Sequence, residues 1–354
     1  MRALRSFAVV VSGLVLTGCL SVCAPRPVPV WDAESLAEQL GLACYLAVPE
    51  TEPGERVPGI ILVHEQGGVA ARRWALYWKG RGYAALALTR GGSVGELSQI
   101  HLPPQEQDPY LAVADVLRAR VLLSRRPEVD PARIGVCGLG WGGMIACLAA
   151  GADGDLAYAA SLRGCGFLED GSVWEKRHRA EVEEPDWRAW CALWDPRHYL
   201  GRVRCPFLWL GDEHDAAYPL PCVQASMALA GGRAVRVLRP SLVSSRGPER
   251  SADLAAFVDG AVGRQPCYPR ATAVSARDGQ ARARFRMEGR TADFASFRWT
   301  EDVGAWEDRV WKDYPADFDG ACAEAPLPKG ATAWYFSVFF DDGRVVSSDL
   351  RTDD

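Results

Sequence analysis

Six consecutive residues, Gly138-Leu139-Gly140-Trp141-Gly142-Gly143, reproduce the spacing G-x-S-x-G-G. In that motif a strand turns sharply into a helix and lifts a nucleophilic serine clear of the sheet for acyl transfer. The flanking glycines let backbones pass closely. Here the central position is Gly140, so the turn is kept and the attacking oxygen is lost. The run Leu210-Gly211-Asp212-Glu213-His214-Asp215-Ala216-Ala217-Tyr218-Pro219 supplies an acid, with Asp215 first and Asp212 second, of the kind that orients a catalytic histidine. The chain order in this chemistry is nucleophile, acid, histidine. His214 is the last of the five histidines. The loop Pro240-Ser241-Leu242-Val243-Ser244-Ser245-Arg246-Gly247 therefore has Ser244 near the position of the base and no histidine. Arg246 is available to pair with Asp215, but a guanidinium stays protonated and cannot serve as general base.

A third segment, Val63-His64-Glu65-Gln66-Gly67-Gly68, is similar to an H-G-G-G type loop. A backbone N–H of such a loop, together with the N–H of Trp141, forms an oxyanion hole. Backbone donors survive changes of side chain, so His64, Gly67 and Trp141 can keep the hole without the chemistry. His64 reads as a packing residue of the loop. Glu65 places a carboxylate where negative charge has to be welcomed, which opposes oxyanion stabilisation.

These residues need a scaffold that brings three loops to one edge. Apolar runs at 59–63, 84–88, 134–137, 156–161, 207–210 and 235–238 alternate with helical patterns, which predicts an α/β fold with a mostly parallel sheet. Val113, Val116, Leu117 and Val121 mark one helix face, and Leu254, Phe257, Val258 and Val262 mark another. Met144 to Ala150 continues the turn as a helix. The stretch 166–194 breaks the rhythm with charges and tryptophans and reads as an excursion over the top of the sheet. Residues 264–269 read as a linker, after which the period changes. Ala281-Arg282-Ala283-Arg284-Phe285-Arg286-Met287 alternates as a half-buried strand does. Residues 333–340 and 344–348 flank Asp341-Asp342-Gly343, a hairpin signal. A small all-β sandwich over 270–354 follows, with the α/β domain at 43–263. The aromatic residues Trp299, Trp306, Trp311, Tyr314 and Trp334 read as core of that module rather than as a sugar platform.

With these motifs in view, the chain resembles the α/β-hydrolases of the acetylxylan esterase and dienelactone hydrolase type, within the prolyl-oligopeptidase-like branch. The resemblance rests on His64 through Trp78, Gly82-Tyr83-Ala84, Val129-Asp130-Pro131-Ala132-Arg133-Ile134-Gly135, Gly164-Cys165-Gly166-Phe167, Trp194-Asp195-Pro196-Arg197-His198-Tyr199-Leu200 and the Asp215 loop. Trp306, Arg309-Val310-Trp311, Leu327-Pro328-Lys329-Gly330-Ala331 and Ser347-Ser348 resemble a β-domain appended to some members. The resemblance implies a doubly wound sheet and carboxylic-ester hydrolysis as ancestry. It places a serine at Gly140 and a histidine near Ser244, and both are missing.

The N-terminus has the build of an export signal. Met1-Arg2-Ala3-Leu4-Arg5 is basic, Phe7 to Leu16 is apolar, and Leu16-Thr17-Gly18-Cys19 matches a lipobox. The expectation is a signal peptide at 1–18, lipidation of Cys19, a tether at 19–42 and attachment to the bacterial envelope, with an outer membrane favoured by Leu20. Export permits disulfides, and Cys267 with Cys322 is the first pair to consider, while Cys137 and Cys147 lie in apolar runs as buried free thiols. The formal net charge is -5 and no long basic run occurs, which argues against a nucleic-acid partner. The histidine spacing offers no metal set, and no cofactor is expected. The readings are an inactive homologue that binds an ester or carbohydrate ligand, an active or residual esterase with a relocated nucleophile (Ser93, Ser161, Ser244 or Ser245), and an envelope scaffold.

Overall fold

The computed structural model describes residues 42–64, 71–89, 97–231, 233–239 and 251–352. Among them, seven strands form one sheet: β1 (Cys44–Ala47), β2 (Val57–Val63), β3 (Ala84–Leu88), β4 (Val129–Leu139), β5 (Ala159–Leu162), β6 (Phe207–Asp212) and β7 (Ala234–Arg239). Their spatial order is β1-β3-β2-β4-β5-β6-β7. Only the β1 edge is antiparallel. All residues of β2, β3 and β6 are buried. That explains why they read as unbroken apolar runs: a parallel sheet is covered on both faces.

The covering helices are α1 (Ala71–Gly80), α2 (Asp108–Ser124), α3 (Trp141–Ala152), α4 (Val173–Glu181), α5 (Glu184–Trp194), α6 (Leu220–Ala230) and α7 (Ala252–Ala261). The strand order reverses between β2 and β4, the kind of switch point where α/β sheets open a crevice at their carboxyl ends. His64 follows β2, and Gly140 follows β4. The fold thus delivers two of the predicted segments to one crevice.

The C-terminal unit is wholly antiparallel: β8 (Arg270–Arg277), β9 (Gln280–Arg286), β10 (Phe294–Thr300), β11 (Lys312–Phe318), β12 (Cys322–Pro326), β13 (Ala333–Phe339), β14 (Val345–Ser347) and β15 (Arg351–Thr352). The strands follow one path, β14-β13-β10-β11-β12-β9-β8, with β15 on β13. Strand β11 joins the halves, pairing with β10 through Lys312 to Ala316 and with β12 through Asp317 and Phe318. The alternation expected at 281–287 is present, since Ala281, Ala283 and Phe285 are buried and the intervening arginines are exposed.

The segment 264–269 is docked rather than free. Arg264 donates to the carbonyls of Arg81 and Gly82 and lies over the Tyr83 ring at 4.5 Å. Tyr268 is buried, and its hydroxyl bonds Asp253 of α7 and the Val345 carbonyl. This docking overturns the expected Cys267–Cys322 pair, because both are free thiols, as are the other described cysteines. Cys267 is held against Gly260 of α7, whereas Cys322 stands opposite Arg284 inside the β9–β12 ladder. Cys137 and Cys147 are fully buried, as expected.

Candidate functional site

Gly140 adopts φ 57°, ψ −119° as α3 begins. This is the sparsely populated backbone of a nucleophile turn, strained for any residue with a Cβ. Its N–H donates to the Leu162 carbonyl at 2.8 Å, which pins the turn to the end of β5. The surrounding glycines leave no room for side chains. A Cβ at Gly138 would stand 1.8 Å from the Gly142 carbonyl oxygen, and one at Gly142 would stand 2.3 Å from that of Val63. Gly143 and Gly164 pack backbone to backbone, since a Cβ on Gly164 would meet the Gly143 carbonyl carbon at 2.5 Å. The elbow is therefore intact in every respect except its nucleophile.

Asp215 lies in the loop after β6 and is 3% exposed. One carboxylate oxygen accepts the amides of Ala217 and Tyr218, and the other accepts Nε of Arg163 at 2.8 Å. Arg163 is thus the partner shown for the acid among the described residues, and Arg246 lies outside them. Arg163 is the residue just after β5, and its left-handed φ of 58° turns it out of the strand direction. Its amide still pairs with the Leu210 carbonyl at 2.9 Å. The turn is braced by Ser161, whose fully buried hydroxyl donates to the Gly164 carbonyl at 2.6 Å. A permanent cation therefore holds the carboxylate that would otherwise orient an imidazole. Asp212, the second candidate, accepts the His214 amide.

His64 is 5% exposed, and its ring meets Trp74 edge-on at 5.7 Å. Burial pushes its imidazole below the ordinary histidine range, and Nε2 has no hydrogen-bond partner among the described residues. The packing role read from the sequence fits this environment. Trp141 is the first residue of α3 and is buried. Its amide belongs to the first helix turn, whose N–H groups lack intrahelical acceptors. His214 meets the C-terminal unit, with Nδ1 at 3.1 Å from the Glu307 carbonyl. Glu65, Gly67, Ser93, Ser244, Ser245 and Cys19 lie outside the described residues.

Sequence reasoning missed one feature around this site and gave another only as an excursion over the sheet. The first is a clamp from the β-unit: Glu213, 1% exposed, receives Nε and Nη2 of Arg298 on β10 and the hydroxyl of Tyr335 on β13. The second is a cap. Helices α4 and α5 cover the acid loop, with the Val173 amide bonded to the Ala216 carbonyl and Trp174 against the Tyr218 ring. Within the cap His178 is fully buried beside Trp174, Trp187 and Trp190. Lys176 reaches Glu307 of the β-unit at 3.0 Å. The excursion over the sheet read at 166–194 is this cap. The aromatic residues of the β-unit divide: Trp334 is core, while Trp299 and Trp306 are half-buried under Lys312 and Arg309. Among the described residues, no group of three or more His, Cys, Asp or Glu side chains is placed to hold a metal ion. No described helix is long and apolar enough to cross a membrane.

Comparison with known proteins agrees with this geometry. Residues 42–184 match the model of the dienelactone hydrolase family. An uncharacterized protein of Pseudomonas aeruginosa is 33% identical over 110 residues, which cover 29% of this chain and 28% of that protein. The chain thus matches well under a third of the length of this curated relative. Among solved structures, a puromycin-hydrolyzing peptidase of Mycobacterium tuberculosis superposes with TM-score 0.51 at 20% identity, covering 63% of this chain and 38% of that one. An acetyl xylan esterase from Paenibacillus sp. R4 gives TM-score 0.47 at 21% identity, over 58% and 84%. The elbow, the strand order and the matched segment together give this chain an α/β-hydrolase fold, with residues 42–184 similar to the dienelactone hydrolase family.

Proposed function

We propose that this protein is a catalytically inactive α/β-hydrolase that binds an ester or acylated carbohydrate at the inherited crevice. The reading is carried by one observation: Gly140 holds the nucleophile position in the nucleophile's own backbone conformation, while Arg163 holds the acid. Acyl transfer needs an oxygen or sulfur at that turn and a base beside it. Two alternative nucleophiles among the described residues fit poorly. Ser161 is buried and committed to Gly164, and burial raises the Cys147 thiol far above its ordinary range. The ligand class is suggested by the ester substrates in the names of relatives such as acetyl xylan esterase. Lipidation at Cys19 would hold the protein at the bacterial envelope.

The test has three arms. Purified protein should hydrolyse aryl acetates no faster than background, and a fluorophosphonate should label no serine. Acetylated xylo-oligosaccharides should raise the unfolding temperature by mass action. Covalent labelling of a serine would overturn the inactive reading, and absence of any thermal shift with those oligosaccharides would overturn the proposed ligand. Cys19→Ala should release the protein from the membrane fraction or leave it unprocessed. Normal processing and attachment in that variant would remove the lipid anchor from the reading.

A further inference from the structure

A cavity of about 310 Å³ opens at the end of the sheet opposite the elbow, where α7 and the docked linker meet β8 and β9. Its lining includes Pro206 just before β6 and Arg233 just before β7, so it lies at the amino ends of strands whose carboxyl ends face the crevice. It is a different site from the elbow. The size falls at the low end of small-molecule pockets.

The lining has two chemistries. Val235, Phe257 and Tyr268 form an apolar wall, and all three are buried. The Tyr268 hydroxyl is taken by Asp253 and the Val345 carbonyl, so this residue offers the cavity its ring rather than its polar end. Against that wall stand Arg233, Arg270 and Arg286, with Glu288 the one acidic residue of the lining. Nε of Arg286 holds the Glu288 carboxylate at 2.8 Å. An arginine fork suits a carboxylate in two-point contact. Glu288 disfavours a polyanion by like-charge repulsion, and the buried wall rewards an apolar body.

We propose that this cavity is a second ligand site, which takes a small organic monocarboxylate with a flat or compact apolar body. The wall would bury the body while Arg233 and Arg270 hold the carboxylate at the rim.

Cys267 supplies the reporter, because it lines the cavity and is the one exposed thiol among the described cysteines. The full chain is treated with N-ethylmaleimide, and modification of Cys267 is followed by peptide mass spectrometry with 2-naphthoate, 2-naphthamide or inorganic phosphate present. At about ten times Kd, 2-naphthoate should slow alkylation about tenfold, as occupancy by mass action requires. Neither 2-naphthamide nor phosphate should protect. The double variant Arg233→Gln/Arg270→Gln should lose the protection, with its unfolding temperature and unprotected alkylation rate unchanged. Calorimetric titration of Cys267→Ser with 2-naphthoate should still detect binding, which separates occupancy from any effect at sulfur. No protection by millimolar naphthoate, equal protection by the amide, protection by phosphate alone, or full protection in the double variant would each overturn the proposal. If the double variant unfolds, the single variant Arg233→Gln, at an exposed position, replaces it, with protection by 2-naphthoate expected to fall and full protection overturning the proposal.

Discussion

Glu213 and Arg298 meet in a two-pronged ion pair that ties the loop carrying Asp215 to the C-terminal unit, with Nη2 at 2.6 Å from one carboxylate oxygen. The Glu213 side chain is fully buried and that of Arg298 is 13% exposed. A carboxylate in such a place is stable only while its partner stays. Arg298→Met should therefore cost about 3–5 kcal/mol, read as a lower midpoint in thermal or urea unfolding. Adding Glu213→Leu should recover much of that loss, because no buried charge then remains. Equal stability of Arg298→Met and the parent chain would show that the pair does not bear on folding.

His178 predicts a pH dependence. Burial pushes its imidazole down to about 4, with Glu181 acting upward and Arg177 downward. An unfolded histidine takes up its proton near ~6.5. Between those values the unfolded chain binds the extra proton, so the native state loses stability as pH falls from about 6.5 toward 4, by roughly 3 kcal/mol in all. Above that window the contribution is complete. His178→Phe should flatten this part of the stability curve without disturbing the tryptophans. An unchanged slope between pH 6.5 and 4 in the variant would place the proton uptake elsewhere.

Gly138→Ala should not give folded soluble protein. The added methyl meets a backbone carbonyl oxygen at 1.8 Å, and backbone has no rotamer by which to retreat. Circular dichroism and size-exclusion chromatography of the expressed variant would check this, and a folded monomer would contradict the geometry.

Gly140→Ser alone should remain without esterase activity, since an unassisted hydroxyl is a weak nucleophile and Arg163 occupies the acid. It should also lower stability by about 1–3 kcal/mol, the order of strain for a side chain in this backbone region. Addition of Ser244→His and Arg163→Ala should give slow turnover of aryl acetates. Measurable turnover by Gly140→Ser itself would reveal a base already in place.

The strands were legible because each carries its own signal. Buried parallel strands such as Val57–Val63 are continuous in apolar residues, and Gln280–Arg286 alternates strictly. The elbow was legible because its glycines fall at fixed spacing within six residues, although only the contact of Gly138 with Gly142 is local and Gly142 itself packs on Val63. Arg163 was not, because its role depends on a backbone turn after β5 and on a loop 52 residues further along. The same holds for Glu213, whose partner lies 85 residues away. A pairing of cysteines guessed from their shared neighbourhood failed where the linker docked on α7 and carried Cys267 with it. Long-range polar partners leave no period in the sequence, so they appear only when the fold brings them together.

The core of the α/β sheet does not stop at residue 263. Ile60, Leu208 and Phe257 belong to the same contiguous apolar cluster as Phe285, Phe297 and Trp334, and Leu220 and Leu238 pack in another with Tyr335 and Leu350. Strand β7 is also stitched to β14, with the Leu238 amide on the Ser347 hydroxyl. What reads along the chain as two modules should therefore melt as one unit. Calorimetry would record a single transition whose van't Hoff and measured enthalpies agree, and severing the C-terminal unit would leave the hydrolase half with an uncovered apolar flank prone to self-association.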